Sequence, residues 1–276
     1  MLDIAPKTFQ RIVDIARKRW GIHLTERKTA LVANRLTSLL RKTGRFASIE
    51  DYVEHLERDA NEEDMLVFFD SLSTNVTSFF RDPQHFHFLE RELWTPVLRG
   101  TIPCANRRVR LWSCACSVGC EPYSLAIQAL ELVPDIANWD VRILATDLSN
   151  KALAAARRGV YAESTVAQMD PALREKYFER VRGDDGLTMY RVRDAVRKLV
   201  TIRQLNLMDE WPFAGPFDVV FVRNVMIYFD RETRERLVRR LAGYLRPNGV
   251  LAVGGAETLS GLDVPLRPAA ASVYLK

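Results

Sequence analysis

The sequence predicts a small all-helical N-terminal domain followed by a doubly wound α/β domain that carries a small inserted β subdomain. Three observations lead there. Residues 6 to 70 place apolar side chains at helical spacing and show no Val/Ile/Thr alternation. From Val109 onward, short apolar strands alternate with amphipathic helices, the grammar of a largely parallel sheet covered on both faces. Residues 159 to 198 then break that rhythm with Met169-Asp170-Pro171 and a Gly183-Asp184-Asp185-Gly186 turn. The expected boundaries are 1–72 for the helical domain, 73–276 for the α/β domain and 159–198 for the insert. With 276 residues, 47% apolar and 27% charged, the chain can bury a core of this size and is not of disordered composition.

The elements follow in order. Phe9, Ile12, Val13, Ile15 and Ala16 form the stripe of a first helix that closes at Trp20-Gly21. A second runs from Glu26 to Lys42, with Leu31, Val32, Leu36, Leu39 and Leu40 on its apolar side, and Thr43-Gly44 ends it. Two short helices follow at 49–58 and 62–72. Asp82 then reads as an N-cap with Pro83 at the first helical position, opening a helix to Trp94, and 95–108 reads as a linker. Val109–Trp112, Val141–Thr146, Phe217–Val222 and Val250–Gly254 read as strands, the last after an Asn248-Gly249 turn. Glu121–Leu132, Asn150–Arg158 and Arg231–Leu245 read as the intervening helices.

Composition excludes several classes. No apolar run reaches the roughly 18 residues of a membrane helix, and the N-terminus has no signal-peptide apolar core, so a cytoplasmic protein is expected. Cys104, Cys114, Cys116 and Cys120 are too few for a disulfide scaffold, and they lack the paired C-x2-C knuckles of structural zinc, so no metal is expected. The net charge of +5 is unevenly placed. Residues 1 to 49 hold eleven Lys/Arg against three acids, whereas residues 50 to 70 hold nine acids and only Arg58. The first block suits an acidic partner.

The turn after the first α/β strand, Ala115 to Pro122, is built of small residues and runs into a helix N-terminus, where backbone can approach a ligand. Asp147, twenty-eight residues after Gly119, ends the next strand, where nucleotide-binding sheets place a carboxylate for ribose hydroxyls. A single glycine matches a dinucleotide turn poorly. A ligand with a ribose and no diphosphate, such as S-adenosylmethionine, suits it better; a plain tight turn and cap is the alternative.

Asn75-Val76-Thr77-Ser78-Phe79-Phe80-Arg81-Asp82-Pro83 resembles a signature of the chemotaxis receptor methyltransferase (CheR) family. The stretch Trp112 to Ala126 is similar to that family's glycine-turn block. Ala145-Thr146-Asp147-Leu148-Ser149, Asn206-Leu207-Met208-Asp209, Gly215 to Asp218 with Arg223 to Phe229, Leu245 to Gly249 and Glu257-Thr258-Leu259 match further blocks, in order. The resemblance implies a Rossmann-like enzyme that moves the methyl of S-adenosylmethionine to glutamate side chains of methyl-accepting chemotaxis receptors, leaving S-adenosylhomocysteine, for sensory adaptation. Carried over, it makes Asn75, Thr77, Arg81, Glu121, Asp147, Asn206, Leu207, Arg223 and Asn224 cofactor contacts, with Arg81 and Tyr228 near the transferred methyl as catalytic residues. It makes the 26–42 helix the docking face for the receptor's cytoplasmic helices, with Arg27, Lys28, Arg35, Arg41 and Lys42 as contacts. A monomer that neither binds nucleic acid nor inserts into a membrane is expected. The family places a β subdomain at 159–198, which in some members grips a C-terminal receptor tether.

Departures from the family pattern are Ala115 for a glycine, Val118 for a threonine and Cys120 for a glutamate, with Gly255-Ala256 before Glu257 where His-Ser is usual. Two rival functions are a nucleic-acid methyltransferase and a module that binds the cofactor without turnover. The first is disfavoured because no Asn/Asp-Pro-Pro-Tyr/Phe motif occurs, the second because Arg81 and Tyr228 are present.

Overall fold

The computed structural model describes residues 4–73, 76–102 and 104–276. Four helices open the chain: α1 (Pro6–Trp20), α2 (Thr29–Thr43), α3 (Ile49–Arg58) and α4 (Glu62–Leu72). Their ends obey local chemistry. Pro6 opens α1, where a missing N–H costs nothing, and Gly21 closes it at φ +69°. Ser48 Oγ accepts from Asp51 N (3.0 Å) and Asn61 Oδ1 from Asp64 N (2.9 Å), capping α3 and α4. Ile12, Ala16, Leu36, Val53 and Phe68 are fully buried between the four. Glu26–Lys28 forms a 3₁₀ turn, so the second helix proper begins at Thr29.

The next helix departs from the sequence reading. Asp82 adopts φ +56° and its side chain makes no cap hydrogen bond, because the carboxylate goes to Arg223 instead. Helix α5 (Pro83–Leu89) passes through a π turn (Glu90–Trp94) into α6 (Thr95–Leu98), so helix occupies the start of the expected linker. Pro96 accounts for the widened turn: it has no N–H to give the carbonyl of Glu92, and its ring crowds that oxygen.

A seven-stranded sheet follows, built from β1 (Arg108–Cys114), β2 (Asp140–Asp147), β6 (Val200–Gln204), β7 (Phe217–Val222), β8 (Leu245–Val253), β9 (Arg267–Ala270) and β10 (Val273–Leu275). Its order is β6-β2-β1-β7-β8-β10-β9; the first five run parallel and the last two add antiparallel pairs. Helices α7 (Cys120–Leu132) and α8 (Asn150–Arg158) connect the left half, and α12 (Arg231–Tyr244) joins β7 to β8. Every residue of β7 is buried, as a central parallel strand requires. The Asn248-Gly249 turn lies within β8, whose register against β7 jumps there. Residues between α8 and β6 form a separate three-stranded antiparallel sheet of β3 (Val160–Ala162), β5 (Thr188–Val192) and β4 (Phe178–Arg182), ordered β3-β5-β4. The short helices α9 (Glu163–Val166), α10 (Pro171–Tyr177) and α11 (Asp194–Arg197) accompany it.

The helical bundle docks on the sheet through the segment after α1. Ile22 bridges to Phe229, and Tyr228 O accepts from His23 N (2.7 Å). A Cβ on Gly21 would stand 2.9 Å from Met208 Sδ, so this turn also needs glycine for close approach. Among the described residues no helix is long and apolar enough to cross a membrane.

Candidate active site

Parallel sheets bind ligands beyond the carboxyl ends of their strands, at the point where strand order reverses. Here that point lies between β1 and β7. A cavity of about 310 Å³ opens there, roofed by the N-terminal bundle. Thr77 and Arg81 line it from the segment before α5, Glu121 from the start of α7 and Asp147 from the tip of β2. Asn206 and Leu207 line it after β6, and Arg223, Asn224 and Tyr228 after β7. All nine are nominated residues, scattered over 150 residues of chain and brought to one space. Asn75 lies outside the described residues.

The bundle's wall here is α2 together with Lys28, the residue that leads into it from the 3₁₀ turn. Lys28, Leu31, Val32 and Arg35, spaced i, i+3, i+4 and i+7, face the cavity together. The five expected docking cations therefore divide. Arg27, Arg41 and Lys42 are exposed, whereas Lys28 and Arg35 turn inward and are half-buried. Arg35 donates to the carbonyls of Leu72 and Ser73, holding the end of α4.

Asp147 is 8% exposed, and each of its oxygens accepts one backbone N–H: Oδ2 from Ser117 (2.8 Å) and Oδ1 from Ser149 (2.9 Å). Burial pushes its carboxyl up from the usual range, against the pull of those amides. Ser149, not Asp147, caps α8. The loop beside it alternates left-handed residues, Ala115 (φ +56°), Ser117 (φ +50°) and Gly119 (φ +93°), which turns backbone toward the cavity. Ala115 therefore takes the conformation that a glycine would take freely.

Arg223 is the electrostatic centre. Its side chain is 2% exposed; Nη1 donates to Glu121 Oε2 (2.9 Å), and Nη2 to Asp82 Oδ2 (2.6 Å) and Arg81 O (2.6 Å). Glu121 Oε1 accepts in turn from Ser113 Oγ (2.6 Å). Burial raises the Glu121 carboxyl despite Arg223. At Asp82 burial also pushes upward, but the Arg223 hydrogen bond and charge overcome it and the net direction is down. The guanidinium thus fastens the 81–82 segment onto β1, α7 and β7 through Nη1 and Nη2, while its buried Nε has no hydrogen-bond partner among the described residues. Asn206 is similarly committed: Nδ2 donates to Arg19 O (3.0 Å), and Oδ1 accepts from Met208 N (3.1 Å).

Glu257 braces the site's edge, a part that the sequence reading did not give it, although its block was recognised. Its buried carboxylate accepts from Gly254 N (2.7 Å), Asn224 N (2.8 Å) and Ile227 N (3.2 Å), shaping the loop that carries Tyr228. Three of the four cysteines, Cys114, Cys116 and Cys120, are buried. Burial pushes the thiols of Cys114 and Cys116 well up and that of Cys120 to about 12. His85 is packed at 1% exposure and His87 is exposed.

The model of the CheR methyltransferase SAM binding domain matches residues 75–275, and that of the CheR methyltransferase all-alpha domain matches 7–73. The chain belongs to the CheR methyltransferase family. A chemotaxis protein methyltransferase of Borreliella burgdorferi is 36% identical over 262 residues, 94% of this chain and 91% of that protein. A probable chemotaxis protein methyltransferase of Rhizobium etli is 41% identical over 87% of this chain and 88% of its own length. Chemotaxis protein methyltransferase 2 of Pseudomonas aeruginosa is 37% identical over 96% and 91%.

The cofactor of this CheR-family methyltransferase is S-adenosylmethionine, and the cavity suits it. The Asp147 oxygens keep lone pairs beyond the two amides, as a ribose diol needs. Leu148, Leu205 and Leu207 offer apolar surface to a base, and the cavity wall at 115–117 lets a ligand lie close to backbone.

Proposed function

We propose that this protein esterifies glutamate side chains on the cytoplasmic helices of chemoreceptors, as a monomer in the cytoplasm, leaving S-adenosylhomocysteine. The observation that carries the reading is that the basic helix α2 and the cofactor cavity share a wall. An acidic helical substrate drawn to Arg27, Arg41 and Lys42 on the exposed part of that region would meet Lys28, Arg81 and Tyr228 at the cavity. The relatives' role in chemotaxis supports the same substrate.

S-adenosylmethionine supplies a methyl group made electrophilic by its sulfonium. The chain's own residues have modest work to do. A glutamate carboxylate, with an ordinary pKa of about 4.3, is already ionised at pH 7, so no general base is needed. No histidine lines the cavity among the described residues. Asp147 holds the ribose hydroxyls; Thr77, Asn206, Leu207 and Asn224 complete the cofactor's bed. Glu121 and Arg223, committed to each other, give it a rigid floor. Arg81, braced on Val76 O (3.1 Å), orients the incoming carboxylate, and Tyr228 lines the path of the methyl. The α2 roof excludes water from the transfer.

The test is transfer of labelled methyl from S-adenosylmethionine to receptor-containing membranes, followed by alkali. Counts released as methanol are expected, since only a carboxyl ester is labile. Alkali-stable counts would overturn the glutamate assignment, and cofactor binding without any transfer to receptors would overturn the enzyme reading.

A further inference from the structure

Four cationic side chains line the cavity: Lys28, Arg35, Arg81 and Arg223. Three are held by the protein. Arg223 is paired with Glu121 and Asp82, Arg35 caps the end of α4, and Arg81 donates to Val76 O. Lys28 differs. Among the described residues its ammonium has no carboxylate, carbonyl or hydroxyl partner, and it stands 5.7 Å from the centre of the Tyr228 ring. A cation over an aromatic face is positioned without being neutralised. The pair therefore presents an unspent positive charge beside the residue that lines the methyl path.

The chemistry of the acceptor makes that charge useful. An attacking carboxylate needs one oxygen held and the other left nucleophilic. An arginine fork grips both oxygens at once, whereas an ammonium on a flexible stem is a point charge that satisfies one. The surroundings fit a helix carrying such a carboxylate. Leu31, one turn along α2, is 47% exposed on the same wall, and Ile227, next to Tyr228, is 52% exposed. Leu31 thus puts an exposed apolar side chain on the cation's own wall of the cavity, where a half-apolar helix would seat.

We propose that Lys28 orients the acceptor carboxylate over Tyr228, acting as the second cation beside Arg81 rather than as one more docking charge. The proposal rests on the reading that the acceptor is a glutamate. It divides the basic residues by function: Arg27, Arg41 and Lys42 gather the receptor from outside, and Lys28 aligns the reacting group within.

The experiment compares wild type, Lys28→Met, Lys28→Arg and Lys42→Met as full-length proteins. It reads kcat and KM on receptor membranes, and S-adenosylhomocysteine affinity by calorimetry. Lys28→Met is expected to lower kcat about tenfold or more, as misalignment of a reacting group does, while the affinity for S-adenosylhomocysteine stays within about twofold. Lys28→Arg is expected to recover part of that loss, and Lys42→Met to raise KM with kcat unmoved. A Lys28→Met variant that only raises KM would make Lys28 a docking charge and overturn the proposal. Equal losses in kcat and in S-adenosylhomocysteine affinity would make it a cofactor contact, with the same consequence. Failure of wild type to form an alkali-labile ester would instead bring down the glutamate reading, and this proposal with it.

Discussion

Removing the Glu257 carboxylate should loosen the ends of two adjacent strands at once. Gly254 follows β8 and Asn224 follows β7, and Glu257 Oε2 accepts from the N–H of both, at 2.7 and 2.8 Å. Oε1 takes the longer bond from Ile227 N, at 3.2 Å. The fit is close: a Cβ on Gly254 would stand 2.8 Å from Glu257 Oε2 and 2.8 Å from Asn224 Nδ2. Asn224 itself takes φ +59°, a left-handed conformation that asparagine tolerates better than most residues. Hydrogen bonds to a charged acceptor contribute about 1.5–3 kcal/mol each, and a donor left orphaned costs about 1–3. Two good bonds and one weak one, offset in part by the cost of burying the charge and by water entering, give about 3–5 kcal/mol for Glu257→Ala. Glu257→Gln keeps an oxygen for Gly254 and Asn224 but turns its amide on the Ile227 N–H, so a loss of about 1–2 kcal/mol is expected. Denaturant unfolding at constant m measures both. If neither variant falls more than about 1 kcal/mol below wild type, the carboxylate is not the brace of this loop.

Asp147→Asn should weaken S-adenosylhomocysteine binding about 10–100-fold by calorimetry, because an amide nitrogen cannot accept a ribose hydroxyl; unchanged affinity would remove Asp147 from the site. Ala115 sits at φ +56°, so Ala115→Gly should leave stability unchanged or raise it by up to about 1 kcal/mol, the relieved strain being offset by chain entropy, whereas Ala115→Val should cost about 1–3 kcal/mol. A thermal melt of both variants checks the order, and a stable valine variant would mean the turn is not left-handed. Burial, reinforced by Arg223, lowers His85 from 6.5 to about 4. As pH falls below 6.5 the unfolded chain takes up this proton before the folded one, so stability present at pH 7 declines toward pH 4, by about 2 kcal/mol at pH 5. His85→Phe should flatten that decline in denaturation curves at pH 7 and 5, and an unaltered slope would refute it.

Much of the fold was legible because its elements carry strong periodicity. The buried strand Phe217–Val222 and the capped helix Asn150–Arg158 fall where the sequence places them. What was not legible lies where local pattern is weak or where a distant partner decides. β6 went unread because Ile202 is its one buried residue: an edge strand of a parallel sheet need not look apolar. β9 is exposed throughout and contains Pro268, which only an edge tolerates. Asp82 before Pro83 has every local mark of an N-cap, yet its carboxylate is claimed by Arg223, 141 residues further along. No local grammar contains that competition.

The same limit governs α2. Read alone, its basic residues belong to one solvated face, since charged side chains pay heavily for burial. The cavity changes that, because Lys28 and Arg35 can run their stems along apolar wall while the Arg35 head reaches the carbonyls of Leu72 and Ser73 and the Lys28 head lies over the Tyr228 ring. The helix is therefore placed by two demands that meet at one spacing. Val32 and Leu36 anchor it in the bundle, and Lys28 and Arg35 close the space above β1 and β7. An isolated α/β domain would leave Asp147 and Arg223 beneath an open cleft, where solvent screens charge and competes for every hydrogen bond. On this geometry the bundle is a wall of the cofactor cavity, and under the proposed function it is a docking surface as well. Substitutions on the inner side of α2 should therefore change turnover, and those on its outer side should change capture.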